Sequence, residues 1–195
     1  MLLRSTLTSP YGRKVLMAAD HLGLPLTIAP VDTMDPHDLI REDNPLGKMP
    51  VLVLDDGRRL YDSPVILEYL DHLGGVGSLI PRDAKERFDC LTLQALADGM
   101  LDAALLILYE ERRPCDRQHE PWIDRQRQKI VRGLKRLEAD TPVASHVTVG
   151  SITVACMLTY LDRRKAVDWR ASCPLLVRWL CDFAESTPSF GHVLT

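Results

Sequence analysis

The period of the apolar residues changes several times along the first 75 positions. Met1-Leu2-Leu3-Arg4-Ser5-Thr6 is a short apolar-led run that predicts a strand over about 1–6. Val15, Leu16, Ala18, Ala19 and Leu22 then recur at helical spacing, predicting a helix over about 10–22 that stops at Gly23-Leu24-Pro25. Residues 26–31 predict a second strand, residues 35–41 a short helix with Pro36 in its first turn, and Asn44-Pro45-Leu46-Gly47 a loop. Residues 51–54 and 58–61 flank Asp55-Asp56-Gly57, which is a strong hairpin signal. Asp62-Ser63-Pro64 opens another helix, from Val65 to about His72. The order β-α-β-α-β-β-α predicts a mixed sheet, because a strand-helix-strand unit favours a parallel pair and a hairpin adds antiparallel strands.

The pattern changes after Gly74-Gly75-Val76-Gly77-Ser78, which reads as a linker. From Arg82 onward there is little strand signal. Phe88, Leu91, Leu93, Leu96, Met100, Leu101, Ala104, Leu105, Leu108 and Tyr109 form a wide helical stripe, stopped by Pro114. Residues 122–137 predict a charged amphipathic helix with Ile123, Ile130, Val131, Leu134 and Leu137 inward. Residues 149–164 are apolar almost all round, as a central buried helix is, and residues 174–183 supply a further helix. The expected division is an α/β domain over 1–75 and an all-α domain over 82–195.

Composition narrows the classes. An apolar content of 46%, a charged content of 26% and a net charge of −3 over 195 residues are ordinary for a soluble globular protein. There is no basic run to suit nucleic acid. The longest apolar stretches, around 103–109 and 152–161, are too short for a bilayer, so no membrane partner is expected. The N-terminus shows no apolar core with a small-residue cleavage site, so a cytoplasmic location is expected. The five cysteines (Cys90, Cys115, Cys156, Cys173 and Cys181) are odd in number, lack CxxC spacing and all lie at or beyond residue 90. Neither a disulfide framework nor a metal site is expected.

Three places carry candidate chemistry. Ser9 sits at a helix N-cap with Pro10 in the first helical position. A hydroxyl at a helix N-terminus just past a strand end is where an anion or thiolate would be held, although Ser-Pro is also a common cap with no further role. In Met49-Pro50 the proline cannot donate to a β-ladder and belongs at a strand start or edge, or in a plain loop. Ser63 is expected to cap the next helix, where its hydroxyl and nearby N–H groups can accept a carboxylate; Asp62 is otherwise a solvated turn acid.

Together the stretches Ser9-Pro10-Tyr11-Gly12-Arg13-Lys14-Val15, Asn44-Pro45-Leu46-Gly47-Lys48-Met49-Pro50-Val51 and Tyr61-Asp62-Ser63-Pro64-Val65-Ile66-Leu67-Glu68-Tyr69-Leu70 resemble the glutathione S-transferase family. The resemblance covers nearly the whole chain, and residues 95–104 further resemble a bacterial, YibF-like branch. It implies a thioredoxin-like N-terminal domain with a mixed four-stranded sheet, followed by an all-helical domain. It implies an enzyme that binds glutathione as co-substrate, without a metal, and adds its sulfur to a small electrophile in detoxification chemistry. Pro50 is then cis, and the Met49 backbone beside Lys48 pairs with the cysteinyl segment of glutathione. Ser63 takes the γ-glutamyl carboxylate and Asp62 its ammonium.

Ser9 is the implied activating hydroxyl, in the position where other branches carry Cys or Tyr. A free thiol has a pKa of about 8.5, and a hydroxyl donating to sulfur near a helix N-terminus lowers it. Thr8, Tyr11 and the backbone N–H groups compete for that role. The resemblance also implies a homodimer, with Asp98 crossing to the partner's γ-glutamyl amine. Thr148-Val149-Gly150-Ser151 departs from the family's pattern, because Ser151 stands where an acid reaches back to complete a capping box. A weak or missing reciprocal bond is expected there, costing about 1 kcal/mol.

Two other classes are open to the same fold. A thiol-disulfide oxidoreductase would need Cys at position 9 or 12, where the chain has Ser9 and Gly12. A non-catalytic glutathione-binding or protein-interaction module would carry the same binding residues.

Overall fold

A computed structural model describes residues 1–194. The chain forms two compact units. One comprises Met1–Arg87 and the last helix, and the other comprises Phe88–Thr187.

In the first unit, β1 (Leu2–Arg4), β2 (Thr27–Ala29), β3 (Val51–Val53) and β4 (Arg59–Leu60) form one sheet in the order β2-β1-β3-β4. β1 pairs parallel with β2 and antiparallel with β3, and β3 pairs antiparallel with β4, so the sheet is mixed. The strands are shorter than the apolar runs suggested.

α1 (Pro10–His21) and α3 (Ser63–Leu73) pack against each other. They bury Val15, Met17, Ala18, Ala19, Ile66, Leu67 and Leu70. The helix expected over 35–41 is instead a series of turns followed by one helical turn, α2 (Ile40–Asp43). Asp35 and Asp38 explain the shift. Their carboxylates accept the backbone N–H groups of His37 and Ile40, which holds the segment in turns.

Asp43 fastens α2 to the sheet. Its nearly buried carboxylate accepts Nε of Arg4 on β1 at 2.8 Å and Nε of Arg59 on β4 at 2.9 Å. Burial would push this carboxyl up, but the hydrogen bonds and charges of Arg59 and Arg4 outweigh it and hold the group below its ordinary range.

The linker is tied down by Asp71 of α3. One of its carboxylate oxygens accepts Leu79 N–H at 2.6 Å and Ile80 N–H at 3.1 Å; the other accepts Gly77 N–H at 3.1 Å.

The second unit holds most of α4 (Ala84–Glu111, whose first four residues belong to the first unit), a short 3₁₀ turn (Cys115–Arg117), α5 (Glu120–Ala139), α6 (Val149–Arg164) and α7 (Pro174–Ser186). α6 is the central helix the sequence predicts, buried from Val149 through Leu158. α4 is long and apolar enough to cross a membrane by length and composition, and Ala97, Met100, Leu101, Ala104 and Ile107 on it are buried within the protein. Its stripe is wider than its buried face: Phe88 is 66% and Tyr109 53% exposed, so neither is a core residue.

The capping box of α6 is complete, contrary to expectation. Ser151 Oγ accepts Thr148 N–H at 2.8 Å, and Thr148 Oγ1 accepts Ser151 N–H at 3.2 Å. A serine hydroxyl at this position is close enough to reach back without the longer acid.

α8 (Pro188–Leu194) is an element the sequence reading lacks. It packs on α1, where His192 Nδ1 lies 2.9 Å from the Asp20 carboxylate, so it belongs to the first unit.

Candidate functional site

Strand register places the three motifs together. β1 runs antiparallel to β3 with Arg4 opposite Val51, and β3 runs antiparallel to β4 with Leu52 opposite Leu60. The chain leaving β1, the chain entering β3 and the chain leaving β4 therefore share one end of the sheet. These are the segments of Thr8 and Ser9, of Met49 and Pro50, and of Asp62 and Ser63. α1 and α3 both begin there, so two helix N-termini, each a partial positive charge, adjoin the same edge.

Ser9 is the N-cap of α1, with extended backbone (φ −74°, ψ 120°) and Pro10 following. Its Oγ accepts the Gly12 N–H at 3.2 Å, and its side chain is largely buried. Among the described residues nothing accepts the Ser9 hydroxyl proton, so the cap and a donated bond are compatible. Thr8 is exposed, and its hydroxyl lies 3.2 Å from that of Thr6. Tyr11 is half-buried in the first turn of α1, with the Lys14 ammonium 5.8 Å from its ring centroid. Lys14 itself is fully buried. Gly12 has a steric reason beyond the absence of cysteine: a Cβ there would run into Ser5 Oγ.

The Met49–Pro50 peptide bond is cis. Met49 lies just before β3, its amide outside the ladder, and its side chain packs on Val31, Ile40 and Val51. The preceding loop is shaped by Asn44, which the sequence reading passed over as punctuation. Its Oδ1 accepts Leu46 N–H at 3.0 Å and its Nδ2 donates to the Lys48 carbonyl at 2.9 Å. Gly47 completes the turn with φ +60°. Asparagine before a Pro-x-Gly turn is the signal that could have been read. Lys48 itself is exposed.

At α3 the assignment of the cap changes. Asp62 is the N-cap residue, with extended backbone and no side-chain capping bond, and Ser63 is the first helical residue. Ser63 therefore does not cap the helix. It is 3% exposed, and its hydroxyl makes no hydrogen bond among the described residues. Asp62 is exposed and joined to Tyr61 by a second cis peptide bond. Ser9 and Ser63 thus share a Ser-Pro dipeptide but not a role. Asp98 lies on α4 in the second unit and is half-buried.

Chemically, the sheet end offers a hydroxyl proton at one helix N-terminus, a backbone edge before a cis-proline, and a second hydroxyl with an exposed carboxylate at a second helix N-terminus. A short extended peptide bearing a thiol, an anion and an ammonium matches that set.

Comparison with known proteins gives the same picture. The profile for "Glutathione S-transferase, N-terminal domain" matches residues 8–73, and that for "Glutathione S-transferase, C-terminal domain" matches residues 120–180. The GST-like protein YibF of Escherichia coli is 35% identical, over 98% of this chain and 97% of its own. A glutathione S-transferase of Methylobacillus flagellatus, solved with glutathione bound, superposes with a TM-score of 0.91 at 38% identity, covering 98% of each chain. A glutathione transferase family member from Pseudomonas fluorescens, also with bound glutathione, gives 0.91 at 41% identity over 98% of this chain and 97% of that one.

Proposed function

Because the chain belongs to the glutathione S-transferase family, we propose that it binds glutathione at this sheet end, activates the thiol with Ser9 and adds the sulfur to a small electrophile. The observation that carries the reading is Ser9: its oxygen is held by the Gly12 N–H while its proton has no acceptor among the described residues. A thiolate is the acceptor such a proton suits. Donation from Ser9 and the positive end of α1 both favour the charged form of the sulfur, and each unit by which they lower its pKa is worth about 1.4 kcal/mol. Ser9 keeps its own proton throughout. The thiolate attacks the electrophilic carbon, forming a carbon–sulfur bond as the leaving group departs or a ring opens.

The rest of the ligand follows the peptide's own chemistry. The Met49 backbone, outside the ladder, pairs with the cysteinyl segment, and Pro50 and Lys48 flank it. Ser63, whose hydroxyl makes no hydrogen bond among the described residues, donates to the γ-glutamyl carboxylate at the N-terminus of α3, and Asp62 meets the ammonium. Thr8 and Tyr11 border the sulfur and electrophile side. The two solved relatives that hold glutathione support this choice of ligand. We further propose a homodimer, in which Asp98 reaches the partner's γ-glutamyl amine. The exposed Phe88 on α4 and Val65 on α3 suit such an interface.

The test is conjugation of glutathione to a panel of aryl halides and epoxides by the wild type and Ser9→Ala. Turnover by the wild type and a loss of about tenfold or more in Ser9→Ala is expected. No turnover on any electrophile, with glutathione still bound, would favour a binding module instead. Light scattering is expected to report a dimer, and a monomer would remove the Asp98 contact.

A further inference from the structure

The hydroxyls near the site form a chain that ends on a sulfur atom. Thr8 Oγ1 lies 3.2 Å from Thr6 Oγ1, and Thr6 Oγ1 lies 3.6 Å from Met49 Sδ. Ser5 Oγ is farther from that sulfur, at 3.9 Å, and also lies 3.4 Å from the Thr6 carbonyl. A thioether sulfur only accepts, and a hydroxyl has one proton to give. Both contacts are hydrogen bonds at once in a single arrangement, in which Thr8 donates to Thr6 and Thr6 donates to Met49. In the opposite sense Thr6 would spend its proton on Thr8 and leave its contact with the sulfur unmade.

That polarity distinguishes two neighbouring hydroxyls that the sequence leaves as rivals. In that arrangement Thr8 gives its proton to Thr6, and its lone pairs are what it offers a ligand. Lone pairs repel a thiolate. Ser9 has the reverse arrangement, with its oxygen occupied by Gly12 N–H and its proton available.

We propose that Met49, acting through Thr6, is a positioning residue that commits the Thr8 proton away from the substrate sulfur, so that of these two neighbouring hydroxyls Ser9 is the donor to it. This rests on the reading of Ser9 given above. Met49 touches the reacting sulfur only through this chain, and its thioether supplies an acceptor that an aliphatic residue at the same place would lack.

The apparent pKa of the thiol of bound glutathione, followed by the ultraviolet absorbance of the thiolate, tests this. Ser9→Ala alone tests the underlying reading, and its bound-thiol pKa is expected to rise. Met49→Leu conserves volume but removes the acceptor, freeing the Thr8 proton to turn toward the sulfur. The double variant Ser9→Ala/Met49→Leu is therefore expected to show a thiol pKa lower than Ser9→Ala by half a unit or more, about threefold more thiolate at neutral pH. Ser9→Ala/Thr6→Val, which removes the Thr6 oxygen that accepts the Thr8 proton, is expected to do likewise. Adding Thr8→Val to either is expected to abolish the gain. A gain absent from both double variants, or one that persists without the Thr8 hydroxyl, would overturn the proposal. An unchanged thiol pKa in Ser9→Ala would overturn it together with the assignment of Ser9.

Discussion

Ser9 and Ser63 are each followed by proline at a helix start, yet only one is a cap. The difference is backbone conformation. Ser9 is extended and stands before its helix, whereas Ser63 is already the first helical residue, with the extended Asp62 before it. A cap needs an extended residue whose side chain can turn back onto the N2 or N3 amide. Ser63 cannot do this, and its hydroxyl is not spent on the cap. Ser63→Ala is expected to weaken glutathione binding by about tenfold, the value of one hydrogen bond to a charged group, with little effect on stability. Calorimetric titration measures the first and urea denaturation the second; unchanged affinity would remove Ser63 from the site. Gly12 is constrained in a different way. Gly12→Ala would press a methyl group into Ser5 Oγ at the join of β1 and α1, and a loss of about 2 kcal/mol in unfolding free energy is expected.

At the scale of elements, long patterned segments were legible and short ones were not. The mixed sheet, α1, α5 and the buried α6 follow from periodicity, because each repeats its apolar face over several turns or is paired through a recognisable turn. α8 has seven residues, too few for a stripe, and lies where it does through packing on α1. α2 shrank because Asp35 and Asp38 give their carboxylates to nearby amides, a competition that periodicity does not register.

Two element joins yield predictions. Asp71 accepts three linker N–H groups, and Asp71→Ala would leave them unpaired, costing about 3 kcal/mol by urea denaturation. Ser151→Ala removes the returning bond of the α6 capping box and is expected to cost about 1 kcal/mol. A neutral result there would mean that the hydroxyl adds nothing to the cap.

Across the molecule, the three motifs that mark the candidate site all lie in the first unit, at one end of its sheet. That much was legible, because three punctuated stretches at fixed spacing report where a strand stops and a helix starts. The polarity of the Thr8–Thr6–Met49 chain was not, since it depends on the fold bringing residues 6 and 49 within hydrogen-bonding reach.

The fastening of α2 to the sheet by Asp43 is predicted to depend on pH. The folded-state pKa of Asp43 is depressed, so its contribution is present above about pH 4 and fades as pH falls through the folded value. Asp43→Asn is expected to cost about 2 kcal/mol at pH 7, with the gap to wild type narrowing in acid. A gap that stays constant with pH would assign the loss to packing instead of charge.

The central claim is that a Ser9 hydroxyl proton stabilises the thiolate of bound glutathione, and the most direct measurement is the pH titration of that thiolate's absorbance in the wild type and in Ser9→Ala. The account predicts a wild-type value below the free thiol's, about 8.5, and a value at least one unit higher in Ser9→Ala. Coincident titration curves for the two proteins would contradict it.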